Sequence, residues 1–256
     1  MDSAESNNPL TLNEITEALQ KRVNFISEEF KNGFEFVKNY PRSVTFFGSA
    51  RTKEDELYYQ KARSLAGRIV SELHYSVMTG GGPGIMEAAN RGAFEAGGNS
   101  LGLTIELPQE QKDNPYLTDK EDFHYFFSRK VCLSFSAEAY IFFPGGFGTL
   151  DEFIEILTLV QTNKIPKAPI ILIGDFFWQP LENFFKEVLV KAKTIAPEDT
   201  LLYTITEDED QILDIIKKAP VRLGLRYNKN LENKKRKSST HRAHNPLDSL
   251  FKKIKW

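Results

Sequence analysis

Two glycine-rich stretches and one pair of cations carry residue types and spacings that can do chemistry. Pro144-Gly145-Gly146-Phe147-Gly148-Thr149-Leu150-Asp151-Glu152 sets three glycines ahead of a hydroxyl and two carboxylates. Thr79-Gly80-Gly81-Gly82-Pro83-Gly84-Ile85-Met86 repeats the design. Glycines between a strand and a helix let the backbone approach a ligand closely, and the helix that follows presents amides without partners. That combination binds phosphate. The first stretch equally fits a structural role, a capping box with Thr149 as N-cap and Glu152 three residues on. In Ser128-Arg129-Lys130, Ser128 reads as an N-cap, which puts both cations in a first turn. There they oppose the helix dipole at a cost of about a few tenths of a kcal/mol. A nearby anion accounts for them; so does plain solvation.

The loops also exclude chemistries. Neither ends in the GK[ST] of a P-loop, which disfavours nucleoside triphosphate hydrolysis. The first strand ends in Gly48-Ser49-Ala50-Arg51, too sparse for the G-x-G-x-x-G of a dinucleotide site. A smaller ligand such as a mononucleotide fits better. No cofactor and no metal is expected: the single cysteine, Cys132, and four scattered histidines make no zinc pattern.

Strands and helices alternate around these loops. Strands are expected at 43–50, 75–82, 100–107, 139–146, 169–174 and 200–207, with a further one possible at 122–127. Helices are expected at 54–73, 83–97, 129–138, 150–163, 176–193 and 209–218, Pro83 falling in a first turn. The polar stretch from Pro108 to Asp122 reads as a loop. Nearly continuous apolar strands alternating with helices predict an α/β fold, a Rossmann-like doubly wound parallel sheet. Ligands then bind beyond the carboxyl ends of the strands at the switch point. Leu12, Ile15, Leu19, Val23, Ile26 and Phe30 recur at helical spacing and predict an added N-terminal helix. It packs on the domain or joins a subunit interface. The organisation is a helical extension over 1–39, a nucleotide-binding catalytic domain over 40–220 and a basic tail over 221–256.

The chain of 256 residues is 41 % hydrophobic and 27 % charged, ordinary globular usage. No apolar run reaches the roughly 20 residues of a membrane span, and the polar start MDSAESNNPL is no secretory signal. A cytoplasmic protein is expected. Residues 228–256 hold nine Lys or Arg against two acids, a balance of +7 that leaves −9 on the remainder. Nucleic acid or an acidic partner is therefore expected only through the tail, which equally reads as a solvated end. Cys132 reads as core, His74 as a surface or turn residue, His124 as packed, and Phe142 and Phe143 as strand core.

PGGFGTLDE matches the PGGxGTxxE signature of the LOG family, the cytokinin riboside 5′-monophosphate phosphoribohydrolases, whose members also bear the label "lysine decarboxylase-like". GGGPGIMEAANRGA and Arg129-Lys130 resemble that family at the expected places before the signature, over roughly residues 40–220. The long first helix is similar to that of its larger bacterial members. The resemblance implies hydrolysis of the N-glycosidic bond of a nucleoside 5′-monophosphate. It implies Glu152 as the main catalytic carboxylate and Arg129 as its partner, with Lys130 beside it. Gly145, Gly146, Gly148 and Thr149 would hold the phosphate. Gly48, Ser49, Gly81, Gly82 and Met86 would line the pocket, and Thr158 would face it; Asp151 is a second carboxylate or a dipole partner. At least a homodimer is implied. A nucleotide-binding or carrier protein on the same scaffold is the alternative. The decarboxylase label does not follow from the residues, since such chemistry usually needs pyridoxal phosphate on a lysine.

Overall fold

The computed structural model describes residues 11–106 and 113–221, all within one compact unit, Met1–Gly224. The basic tail lies outside the described residues. The chain runs α1 (Leu12–Lys38), β1 (Ser43–Phe47), α2 (Leu57–Arg68), β2 (Ser76–Thr79), α3 (Ile85–Glu95), β3 (Ser100–Ile105) and β4 (Asp119–Phe123). It continues through α4 (Phe126–Ser134), β5 (Ala139–Phe142), α5 (Phe147–Gln161), β6 (Ile170–Leu172), α6 (Asp175–Phe184), β7 (Thr204–Ile205) and α7 (Glu209–Lys218). The seven strands form one parallel sheet in the order β4-β3-β2-β1-β5-β6-β7. The order reverses between β1 and β5, paired from Val44↔Ala139 to Phe47↔Phe142. The expected doubly wound sheet is present, and its switch point falls between two of the loops singled out above.

Every residue of β1, β2, β5 and β6 is buried. This is why these strands read as apolar runs rather than alternating ones. One face packs Val44, Phe46, Val77 and Ile141 against Tyr59, Leu65 and Ile69 of the α2 segment, Ala88 of α3 and Ile212 of α7. On the other, Phe142, Phe153, Trp178, Phe185 and Tyr203 meet ring to ring. Burying each such side chain is worth roughly 1.5–3 kcal/mol. The strand ends are thereby rigid platforms for the loops.

Several boundaries differ from the sequence expectation. The strand expected at 122–127 is β4, which starts earlier, inside the polar stretch. It is the outermost strand, so its Asp119, Lys120 and Asp122 stay exposed and it carries no apolar run. Helices α4 and α5 begin three residues early, each on an aromatic residue, with Tyr125 and Gly146 as N-caps. Ser128 and Thr149 therefore lie inside the first turn and cap nothing. Gly84 is the N-cap of α3, so Pro83 precedes the helix. The last strand shortens to Thr204–Ile205, because Pro197–Leu201 winds into a 3-10 turn that Asp199 closes by accepting from Ala196 N. The α2 and α6 helices end in π turns, Ile69–Leu73 and Phe185–Val190.

Helix α1 is present where its apolar spacing predicts it, but that stripe is only partly covered. Leu12, Leu19 and Val23 are exposed, and burial begins towards Glu29, Gly33, Phe36 and Val37. His124 is exposed rather than packed, ringed edge-on by Phe25 and Tyr125. Cys132, Phe142 and Phe143 are core, and His74 ends its helix in a left-handed turn at φ 58°.

Candidate functional site

A cavity of about 1270 Å³ opens beyond the carboxyl ends of β1 and β5. Its wall takes Gly48 to Thr52 after β1, Gly80, Gly82 and Met86 from the β2–α3 turn, Arg129 and Lys130 from α4, and Pro144 to Glu152 after β5. The loops are tied together by backbone. Ser49 N donates to Pro144 O at 3.0 Å, and Ile85 N donates to Ser49 O at 3.0 Å. Gly84 makes the second contact possible. At φ 70° it sits where a Cβ would come within 2.3 Å of Ser49 O.

The triple-glycine turn is held from beneath by a buried polar cluster. Thr79 Oγ1 donates to Asn90 Oδ1 at 2.6 Å and accepts from Gly81 N at 2.8 Å. Asn114 Nδ2 donates to Gly81 O and Gly82 O, both at 3.1 Å. Gly81 turns away from the cavity towards Thr104, so it shapes the turn and does not line the pocket as expected.

Helix α5 begins at Phe147, and its N-cap, Gly146, makes no side-chain capping bond. Gly146 and Gly148 have open space where a side chain would project. Gly146 to Leu150 line the cavity, and the first-turn amides of a helix have no intrahelical partner, which makes this end a ready anion site. With Thr149 inside the helix, the capping-box reading is replaced by this open one.

Glu152 lies in the second turn of α5, 8 % exposed, and its Oε2 has no hydrogen-bond partner among the described residues. Burial raises its carboxyl to about 7, with Lys130 and Arg129 opposing the rise and Glu155 and Asp151 adding to it. Lys130 Nζ pairs with Asp151, stands 2.7 Å from Glu155 Oε2 and 4.0 Å from Glu152 Oε1. Burial presses this ammonium down, but its bonds to Asp151 and Glu155 outweigh that and leave it above its ordinary value. Lys130 therefore pins α4 to α5.

Arg129 reaches the triple-glycine turn. Its Nη1 lies 3.2 Å from where a Gly80 side chain would start, and its guanidinium sits 5.4 Å above the Phe126 ring. Its Nε is buried and has no hydrogen-bond partner among the described residues. Burial pushes the guanidinium down while Glu152 pulls it up; it remains a cation at neutral pH. β4 and β5 are not neighbours. Arg129 and Glu152 line the same cavity because α4 runs back over β3 from the sheet edge.

Of the expected site residues, Gly48, Ser49, Gly82, Met86, Arg129, Lys130, Gly145, Gly146, Gly148, Thr149, Asp151 and Glu152 line one cavity. Thr158 does not. It is exposed and bonds back to Ile154 O at 2.7 Å, because its place on α5 turns it off the cavity face. The sequence reading missed Arg51, Phe126, Phe147 and Phe176 on the wall, and Glu155 beneath Lys130. Only Glu155 had a signal, lying three residues beyond Glu152 on one helix face.

Comparison with known proteins agrees with this geometry. The family model described as "possible lysine decarboxylase" matches residues 86–216, just over half of the chain. A cytokinin riboside 5′-monophosphate phosphoribohydrolase of Rhodococcoides fascians is 28 % identical over 156 residues, 59 % of this chain and 77 % of that one. Its Arabidopsis thaliana counterpart LOG5 is 26 % identical over 162 residues, 60 % of this chain and 68 % of that one. Two solved structures share the fold. The molybdenum cofactor carrier protein of Chlamydomonas reinhardtii has a TM-score of 0.52 at 21 % identity, covering 69 % of this chain and 96 % of that one. TM1055 has a TM-score of 0.53 at 23 % identity, covering 69 % and 98 %. The chain belongs to the family of that model, the LOG family.

Proposed function

We propose that the protein hydrolyses the N-glycosidic bond of a nucleoside 5′-monophosphate, giving the free base and ribose 5-phosphate. The observation that carries this reading is Glu152: a buried carboxylate whose Oε2 has no hydrogen-bond partner among the described residues, at the wall of a cavity that also holds a helix start capped by no side chain of its own N-cap. The 5′-phosphate sits on the α5 amides with Thr149, which places the ribose over Glu152. Bond cleavage develops positive charge on the ribose. The carboxylate stabilises that charge or takes a proton from the attacking water, and a value near 7 suits the second task at neutral pH. Arg129 has too high an ordinary value to be a general acid. It favours the ionised form of Glu152 against the effect of burial and faces the charge building on the leaving base. The water's hydroxyl goes to the ribose carbon and its proton to the base.

Two relatives named as phosphoribohydrolases support the reaction class. The older family description does not fit the residues. Lys130, the lysine lining the cavity, is held as an ammonium by Asp151 and Glu155, which is unsuited to a Schiff base. A carrier on the same scaffold is the second reading, since a molybdenum cofactor carrier protein shares the fold. Simple binding gives no use for the Glu152–Arg129 pair. Chromatography after incubation with a panel of nucleosides and their monophosphates separates the two. Release of base from the monophosphates alone supports hydrolysis at a phosphate-gated site; ligands recovered intact support a carrier.

A further inference from the structure

Helix α1 precedes the sheet, lies outside the matched stretch and gives no residue to the cavity wall. It nevertheless carries a buried carboxylate. Glu29 is 7 % exposed, and its Oε1 accepts from His124 N and, at 3.3 Å, from Tyr125 N. Tyr125 is the N-cap of α4, and its carbonyl accepts from Arg129 N at 3.2 Å. One residue thus links Glu29 to the backbone of Arg129. Glu29 Oε2 has no partner among the described residues. A half-satisfied buried carboxylate is costly, so packing alone does not account for it. One turn further, Gly33 lets α1 close on the same region. A Cβ there would lie 2.6 Å from Cys132 Sγ and 2.6 Å from Phe123 Cζ. Cys132 follows Arg129 by three residues, so α1 grips α4 on both sides of the cations.

We infer that Glu29 is a positioning residue: its side-chain oxygen fixes the start of α4 and so aims Arg129 and Lys130 at Glu152. The inference rests on the reading of those three residues as the reacting set. Glu29→Gln keeps the accepting oxygen and Glu29→Ala removes it. The readouts are the titration of Glu152 by carbon-13 NMR in glutamate-labelled protein, and kcat and KM with AMP. Arg129 and Lys130 favour the ionised Glu152 carboxyl, and Asp151 and Glu155 oppose it. A loosened α4 weakens the favourable pair. Glu29→Ala should move the Glu152 titration midpoint upward by about half a pH unit or more and lower kcat by roughly 10-fold or more, with KM changed less. Glu29→Gln should restore both. The inference is overturned if Glu29→Ala melts earlier yet keeps the wild-type titration and kcat, or if the glutamine variant is as impaired as the alanine. Should Glu29→Ala not fold, Gly33→Ala presses α1 off α4 at Cys132 and makes the same comparison. A wild type that leaves AMP intact refutes the reaction, while the Glu152 titration still decides the positioning.

Discussion

Replacing Glu152 with glutamine should stabilise the protein at alkaline pH and change little at acid pH. Burial holds the folded carboxyl at about 7, against 4.5 for the ordinary group. Between those values the folded state keeps a proton that the unfolded chain has released. Stability is therefore full below 4.5 and falls as pH rises through about 7. A tenfold change in proton affinity between the folded and unfolded states is worth about 1.4 kcal/mol, so the full loss is on the order of 3 kcal/mol by pH 8. Glutamine mimics the protonated side chain in volume and charge and escapes that loss. Lys130 keeps Asp151 and Glu155 as partners in the variant, so no bare ammonium is left. At roughly 2–4 °C per kcal/mol for a chain of this size, the variant should melt about 6–12 °C higher at pH 8 and level with wild type near pH 4.5. Thermal melts of both proteins across pH 4.5 to 8 measure this. Parallel pH dependence, or a variant less stable at pH 8, would refute the argument. The second result would mean that Glu152 is an ordinary ion-pair partner of Lys130 and Arg129, with its carboxyl held low.

Three further outcomes follow from the same geometry. If the ionised Glu152 does the chemistry, kcat/KM for base release should rise with pH through about 7 and then level off, as read from a pH–kcat/KM profile. Gly84→Ala should cost about 1–3 kcal/mol or more in urea melts and weaken nucleotide binding, because the new Cβ strikes Ser49 O from a positive φ. Asn114→Ala should cost roughly 1–3 kcal/mol by the same measurement, since it strips a donor from the carbonyls of Gly81 and Gly82.

The fold was legible because its strands are buried on both faces. In β5, Tyr140 and Phe142 are as buried as Ile141, so the strand reads as a short apolar run, as a parallel sheet covered on both faces requires. β4 was misplaced for the opposite reason. At the sheet edge its register depends on β3 from Leu101 to Ile105, and nothing local marks it. The site was legible where backbone chemistry demands particular residues, as at Gly146 and Gly148. It was not legible where the partner is distant in sequence. Asn114 bonds the glycine turn across a separation of more than 30 residues, and Glu29 reaches His124 across 95. The helix starts were misjudged because Ser128 and Thr149 are good caps in isolation. Aromatic residues at 126 and 147 begin those helices instead, which leaves α5 open to an anion.

The most direct test is incubation of the protein with AMP, with chromatography for adenine and ribose 5-phosphate and calorimetry for binding, alongside Glu152→Gln. The account predicts both products from the wild type, and a variant that binds AMP but releases no adenine. Equal turnover by Glu152→Gln, or a wild type that binds AMP and returns it intact, would contradict it.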